Sequence, residues 1–296
     1  MAECERRTAR KQKRAVATKE KIVMELDKMI PVLISAIGVA GVMAAQEEQQ
    51  AFRWPQGKRV AVSLSFDDAR ASQIDVGLPL LNRYEAKVTF YVNPPNMQNR
   101  LEGWKQAAAS GHEIGNHSNS HPCTVNYPFS ANNALENYTI AMMRKDLDKA
   151  GEDIQRLVGQ KPRTFAYPCG QKFVGRGAGV KSYVPLVAKL FLAGRGFRDE
   201  GSNDPARCDL AQLMGMESDG LTFEQMKDLV TAAAQQGGWL VFAGHEIGAR
   251  GRQTTEAAEL EKFLQYARGA DSGVWLDTVY AVGEYVRTHR RSPSSR

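Results

Sequence analysis

Short apolar runs alternate with amphipathic stretches along most of the chain. Residues 59–66 read RVAVSLSF, a β-branched run that predicts a buried strand. Residues 87–92, 112–116, 164–167, 190–193, 239–243 and 274–276 repeat the signature and predict further short strands. Between them, apolar positions at helical spacing predict helices over 72–84, 100–110, 134–158, 223–236, 254–268 and 278–288. Gly111 suits the C-cap of the second. Repeated strand-then-helix units argue for an α/β fold with a parallel sheet and helices outside it. About seven units favour a closed or nearly closed barrel, with an open doubly wound sheet as the alternative. In both, function gathers at the carboxyl ends of the strands. The polar segments 118–133 and 170–183 interrupt the pattern and are expected as surface loops over that end.

The first residues follow another pattern. Residues 30–45 read IPVLISAIGVAGVMAA, apolar, uncharged and preceded by a basic stretch. That length suits the core of a signal peptide better than a spanning helix, which needs about 20 apolar residues. Val42 and Ala44 supply small residues for cleavage after Ala44 or Ala45. An uncleaved membrane anchor is the alternative, and membrane contact is expected only there. Either reading predicts a secreted or periplasmic body. Residues 1–45 are thus a basic region with its signal peptide, 46–57 a polar arm, 58–288 the repeating domain and 289–296 a basic tail.

The formal charge of +6 invites a nucleic-acid reading. Its location removes that reading. Residues 1–28 carry nine Lys/Arg against five Asp/Glu, a net +4, and residues 287–296 carry four Arg and no acid. Residues 29–286 are left at −2, with no general attraction for a polyanion. Of four cysteines, Cys4 precedes the cleavage position. Cys123, Cys169 and Cys208 permit one disulfide in an oxidising compartment, in any of three pairings. No CxxC spacing points to a cysteine-built zinc site.

Candidate chemistry begins at the end of the first predicted strand. Adjacent Asp67 and Asp68 raise each other's pKa unless a cation or hydrogen bonds offset them. A divalent metal does so, with one carboxylate as ligand and the other free as a base. His117-Ser118-Asn119-Ser120-His121 adds two imidazoles of the chain's five. Gly115 before and Pro122 after them predict a turn rather than mid-helix. Two His and one carboxylate leave open positions, as a catalytic metal requires. His112 to His117 resembles a zinc-protease HExxH but has one residue too many, and Gly115 sits within it. His112 reads instead as a packed strand residue. His245 follows the apolar run 239–243, where it is either a core residue or a general acid.

These pieces, in this order, resemble the polysaccharide deacetylase family (carbohydrate esterase family 4) over residues 58–288. Ser65-Phe66-Asp67-Asp68 is similar to its first motif and 117–121 to its His-Ser/Thr-x-x-His. The resemblance implies a distorted, incomplete (β/α) barrel. It implies Asp67 as base, Asp68, His117 and His121 as ligands of a divalent metal, and His245 as acid. Zinc is the expected ion, with cobalt, nickel and manganese as alternatives. The expected substrate is an acetylated glycan. Tyr167, Pro168, Cys169 and Gly170 fall where the family contacts substrate and oxyanion. Ala166 stands where the family has the Arg that steadies the base, and Arg195 is a candidate substitute. The family's Asp-Trp element, which positions the acid, is not recognisable. Glu246 and Asp277 are candidates for that role. A binding protein whose catalysis has lapsed, or a hydrolase of a small non-peptide C–N substrate, are the alternative functions. If His245 lacks a partner, an ester is favoured over an amide.

Overall fold

The computed structural model describes residues 52–290, so the basic region with its signal peptide (1–45), half of the polar arm and most of the tail lie outside the described residues. Eight strands form the main sheet: β1 (Val60–Asp67), β2 (Thr89–Val92), β3 (Glu113–Asn116), β4 (Thr164–Ala166), β5 (Ala193–Arg195), β6 (Met216–Glu217), β7 (Trp239–Gly244) and β8 (Val274–Leu276). Seven follow one path, β5-β4-β3-β2-β1-β7-β6, and every pairing is parallel. β8 pairs with the amino half of β1, on Val60–Val62, while β2 pairs with its carboxyl half, Ser65–Asp67. The result is a curled, incomplete α/β barrel.

β1 is central because its sequence serves two faces at once. Val60, Val62, Leu64 and Phe66 enter the larger apolar core with Phe90, Trp104, Phe242 and Phe263. The alternate positions Ala61, Ser63, Ser65 and Asp67 face the barrel interior and are also buried. Their hydroxyls need partners, and find them on the neighbouring strand: Trp239 Nε1 donates to Ser63 Oγ, and Ser65 Oγ to Phe242 O.

Among the described residues, seven α-helices longer than one turn pack about the sheet: α1 (Leu78–Arg83), α2 (Leu101–Ala109), α3 (Ile140–Val158), α4 (Val184–Leu190), α5 (Phe223–Gln235), α6 (Ala257–Arg268) and α7 (Val279–His289). α7 closes the interior from below. Its Val279, Val282 and Val286 share the second core with Ala61, Tyr91 and Trp239. Glu113 fixes its start by accepting from the Tyr280 N–H at 2.9 Å, where a helix's first turn favours a carboxylate. Burial raises the Glu113 pKa against the opposing pull of its hydrogen bonds from Thr164, Thr89 and Tyr280.

Several expected boundaries move. The helix expected over 134–158 starts at Ile140, because Thr139 caps it by accepting from the Met142 N–H. The strand expected at 190–193 is Ala193–Arg195, preceded by α4, whose Pro185 occupies a first-turn position. Residues 254–256 pair in parallel with Glu246–Gly248, and α6 begins only at Ala257. The loop 170–183 contains a small hairpin of Phe173–Val174 and Lys181–Ser182. His112 is fully buried, and its Nδ1 accepts from the Val88 N–H, in keeping with a packing role.

Gly115 on β3 has no room for a side chain, since a Cβ there would lie 2.5 Å from the buried Tyr91 ring. Gly115→Ala is expected to cost about 1–3 kcal/mol of stability by overpacking. An unchanged midpoint in chemical denaturation would contradict this packing.

Candidate active site

The carboxyl ends of β1, β3, β4, β5 and β7 deliver the sequence-predicted residues to one place. Asp67 ends β1, and the chain then turns through two left-handed residues, Asp68 (φ 75°) and Ala69 (φ 52°). Gln73 Nε2 donates to both Asp67 O and His245 O, at 2.6 and 2.8 Å, and so ties the ends of β1 and β7 together.

Residues 117–121 form a turn, held by side chains. Asn93 Nδ2 donates to His117 O and Ser118 O, Asn116 Oδ1 accepts from the Ser118 N–H, and Ser118 Oγ from the His121 N–H. Asp146, on α3, accepts from the Asn119 N–H. His117 Nδ1 lies 2.9 Å from Ala166 O. A carbonyl only accepts, so Nδ1 carries the proton and Nε2 keeps its lone pair. That lone pair faces Asp68 Oδ1 at 3.5 Å, and His121 Nε2 faces the same oxygen at 3.3 Å. The ligand atoms of Asp68, His117 and His121 all lie within 4.8 Å of one another. One carboxylate and two imidazoles converging in this way suit a divalent cation. Burial would raise the Asp68 pKa, but His117, His121 and His245 together hold it well below the ordinary carboxylate range. His121 is pushed down to about 4, by burial first and then by His117, which favours its neutral, ligating form.

Arg195 is fully buried, and its Nη2 donates to Asp67 Oδ1. Its guanidinium lies over the Tyr91 ring at 4.9 Å, and its Nη1 donates to Gly196 O. Arg195 pairs in register with Ala166 across β4 and β5. The strand beside position 166 therefore supplies the arginine that position 166 lacks.

His245 does have a carboxylate partner, though not an expected one. Its Nδ1 lies 2.7 Å from Asp219 Oδ2, and its N–H donates to Asp219 Oδ1. Glu246 instead accepts from Ser72 Oγ. Asp277 follows β8 beside Val62, its N–H on Val62 O, about 16 Å down the strand from Asp67. Neither takes the partner role assigned to it. Asp219 was not legible because it follows β6, a strand of two residues too short to show a pattern. Burial would lower the His245 pKa, but the Asp219 hydrogen bond, with Asp67 and Asp68 nearby, outweighs it and the pKa is raised. Arg70 was also missed. It pairs with Asp68 Oδ2 at 2.8 Å, leaving Oδ1 to the imidazoles.

Tyr167-Pro168-Cys169-Gly170 forms a tight turn after β4, with Cys169 at φ 54°. Cys169 is bonded to Cys123, two residues beyond His121, which leaves Cys208 as the free thiol among the described residues. The disulfide fastens the histidine turn to the turn after β4.

Residues 55–176 match the polysaccharide deacetylase family model. The Bacillus subtilis protein YlxY is 34% identical over 93 residues, 31% of this chain and 26% of that protein. YheN of the same organism, termed a polysaccharide deacetylase, is 28% identical over 111 residues, 38% of this chain and 36% of that protein. The matches span about a quarter to a third of the length of these curated relatives. Among solved structures, a protein of Mycobacterium smegmatis, also termed a polysaccharide deacetylase, superposes with a TM-score of 0.59 at 20% identity, over 83% of this chain and 98% of that one. A family 4 acetyl xylan esterase from Clostridium thermocellum, solved with cobalt, gives 0.51 at 18% identity, over 76% and 91%. These structural likenesses bear on the fold.

Asp219→Asn is expected to lower the pH at which His245 titrates in the metal-free protein, read by NMR of the imidazole. The raised folded value favours the protonated form. The stability it contributes is present below the unfolded value near 6.5 and is lost as pH rises through the folded one. An unmoved His245 titration in the variant would refute the pairing.

Proposed function

We propose that this chain, whose residues 55–176 match the polysaccharide deacetylase family model, is a member of that family and a metal-dependent hydrolase that removes acetyl groups from an N-acetylated glycan. The observation that carries this reading is the convergence of three units at the carboxyl ends of the strands: Asp68–His117–His121, Arg195–Asp67 and Asp219–His245. Asp68, His117 and His121 would hold the ion. When bound, a divalent ion such as zinc supplies Lewis acidity to a carbonyl and makes water more acidic.

The remaining work falls to side chains. Asp67 has Arg195 on Oδ1, while Oδ2 lies 4.0 Å from His117 Nε2, on the ligand side. In this reading Asp67 accepts the proton of the attacking water. The Gly170 and Gln171 N–H groups are spent on their own turn, which points to the Cys169 N–H as oxyanion donor. His245, with Nδ1 held by Asp219, presents Nε2 toward the leaving group. An amine leaves poorly unless protonated, so a carboxylate-backed acid favours an amide substrate over an ester. Arg195 beside Asp67 speaks against lapsed catalysis.

A polymer is favoured over a small C–N substrate by an exposed aromatic pair. Tyr127 and Phe129 stack with ring centroids 5.3 Å apart, and Phe129 lies 6.3 Å from His121. Phe129 is 67% exposed, an apolar ring beside the site that can stack on a sugar. The apolar segment 30–45 and the disulfide support a location outside the cytoplasm.

Residues 46–296 with added zinc are expected to release acetate from N-acetylglucosamine oligomers faster than from acetylxylan. Asp67→Asn should lower kcat by about 10²- to 10⁴-fold. No metal-dependent release from any acetylated glycan would sink the reading. Replacing Tyr127 and Phe129 together by Ala is expected to raise KM for long oligomers, with little change for a small acetyl ester. Equal effects on both substrates would argue against a stacking platform.

A further inference from the structure

His121 shows its two ring nitrogens to two different donor sets. Nε2 faces Asp68 Oδ1 at 3.3 Å, while Nδ1 faces Cys123 Sγ at 3.7 Å. The ligand atoms of His121, Cys123 and Cys169 also lie within 4.8 Å of one another. With the two sulfurs bonded to each other this second set cannot act, because the thiolate is the metal ligand.

We propose that reduction of the Cys123–Cys169 disulfide opens a second metal site, built from His121 Nδ1 and the two thiolates, which takes a thiophilic divalent ion such as zinc or cadmium and excludes an ion from the Asp68–His117–His121 set. The reductant is a dithiol. Its two electrons break the S–S bond, each protein sulfur takes up a proton, and the dithiol closes to a cyclic disulfide. On metal binding two S–metal bonds form and both thiol protons leave to solvent.

Three features carry this. The donors are soft sulfur and imidazole, the set that selects such ions. Bond lengths of about 2.3 Å to sulfur and about 2.0 Å to nitrogen put tetrahedral ligands roughly 3.5 Å apart, close to the 3.7 Å already present between Nδ1 and Sγ. Besides the disulfide, backbone hydrogen bonds hold both segments near His121: Ser130 Oγ accepts from the Cys123 N–H, and the turn that carries Cys169 is closed by the Gly170 N–H on Tyr167 O and the Gln171 N–H on Pro168 O. Mutual exclusion follows from the ring itself. A neutral imidazole has one lone pair and one N–H. With the lone pair of Nδ1 committed to the sulfur site, Nε2 carries the proton and cannot serve the other set. Formation of the disulfide therefore reserves His121 for the site at the strand ends. The second site does not depend on the deacetylase reading.

The test uses the full chain with Cys4→Ser and Cys208→Ser, which leaves the two sulfurs concerned. One sample is reduced with a dithiol, freed of it without air and titrated with cadmium; another is kept oxidised. In the reduced chain, a thiolate-to-cadmium absorption band in the ultraviolet is expected to saturate at one cadmium per chain. The oxidised chain, of identical sequence, should lose the band completely. Counting bound metal by equilibrium dialysis should give one ion per reduced chain. Absence of the band on reduction would overturn the site. Two ions per reduced chain would overturn the exclusion. An oxidised chain that binds no metal would count against the deacetylase reading, while the band in the reduced chain would still support the thiolate site.

Discussion

Asp67 and Arg195 are almost wholly withdrawn from water, at 3% and 0% exposure. Each charge alone would be untenable there, since removing one partner of a buried pair typically costs about 3–5 kcal/mol. The rest of the site depends on their meeting. Asp67 is aimed by β1, and Arg195 arrives two strands beyond β3, at the end of β5. Only the parallel register Ala166↔Arg195, with the Tyr91 ring beneath the guanidinium, brings the cation across to the base. A one-residue slip of β5 would turn Arg195 to the other face of the sheet. The tight packing of Gly115 on Tyr91 serves the same end, because it fixes the ring on which Arg195 lies.

With Asp67 neutralised from within, Asp68 is free to serve a different cation. Two adjacent carboxylates would otherwise repel at the mouth of a buried strand. The structure resolves the conflict by direction. Asp67 continues the strand into the interior, while the left-handed turn at Asp68 swings its carboxylate outward to Arg70 and the two imidazoles. The same division recurs on the acid side, where Asp219 occupies His245 Nδ1 and leaves Nε2 on the other side of the ring, 3.4 Å from the Gln253 amide. Each reactive group thus has one atom fixed by a charged partner and another kept apart from that contact.

How much of this was legible depended on how local the signal was. β1 and its Asp pair are contiguous, and the histidines are four residues apart, so both could be read from the chain. Seven of the eight strands could be read from the repeats, which favoured a barrel over an open sheet; β6 could not. Arg195 could be named only as a substitute, because its role depends on strand order, which periodicity does not report. Asp219 was invisible for a similar reason. Its strand has two residues, and its partner lies 26 positions away. The disulfide was one of three open pairings until β3 and β4 were seen side by side. The boundary errors near 134 and 190 arose where apolar runs continued past a cap or into a second element, so composition alone could not divide them.

The backbone carries a further constraint that residue types conceal. Among the described residues, nine other than glycine have positive φ, and seven of these lie around the site: Asp68, Ala69, Ser118, His121, Cys169, Arg198 and Gln253. Such conformations cost on the order of 1–3 kcal/mol each unless the surroundings over-determine them. Here they do. Ser118 and His121 are held by Asn93, Asn116 and the Ser118 hydroxyl, and Asp68 O accepts from Asn96 Nδ2. Cys169 is covalently tied to Cys123. Glycine would relieve the strain at Asp68, His121 and Cys169 but would remove the carboxylate, imidazole and sulfur that they present. Asn93 and Asn96, which follow β2, Asn116 at the end of β3, and the disulfide are therefore best understood as the supports that let reactive side chains occupy turns suited to glycine.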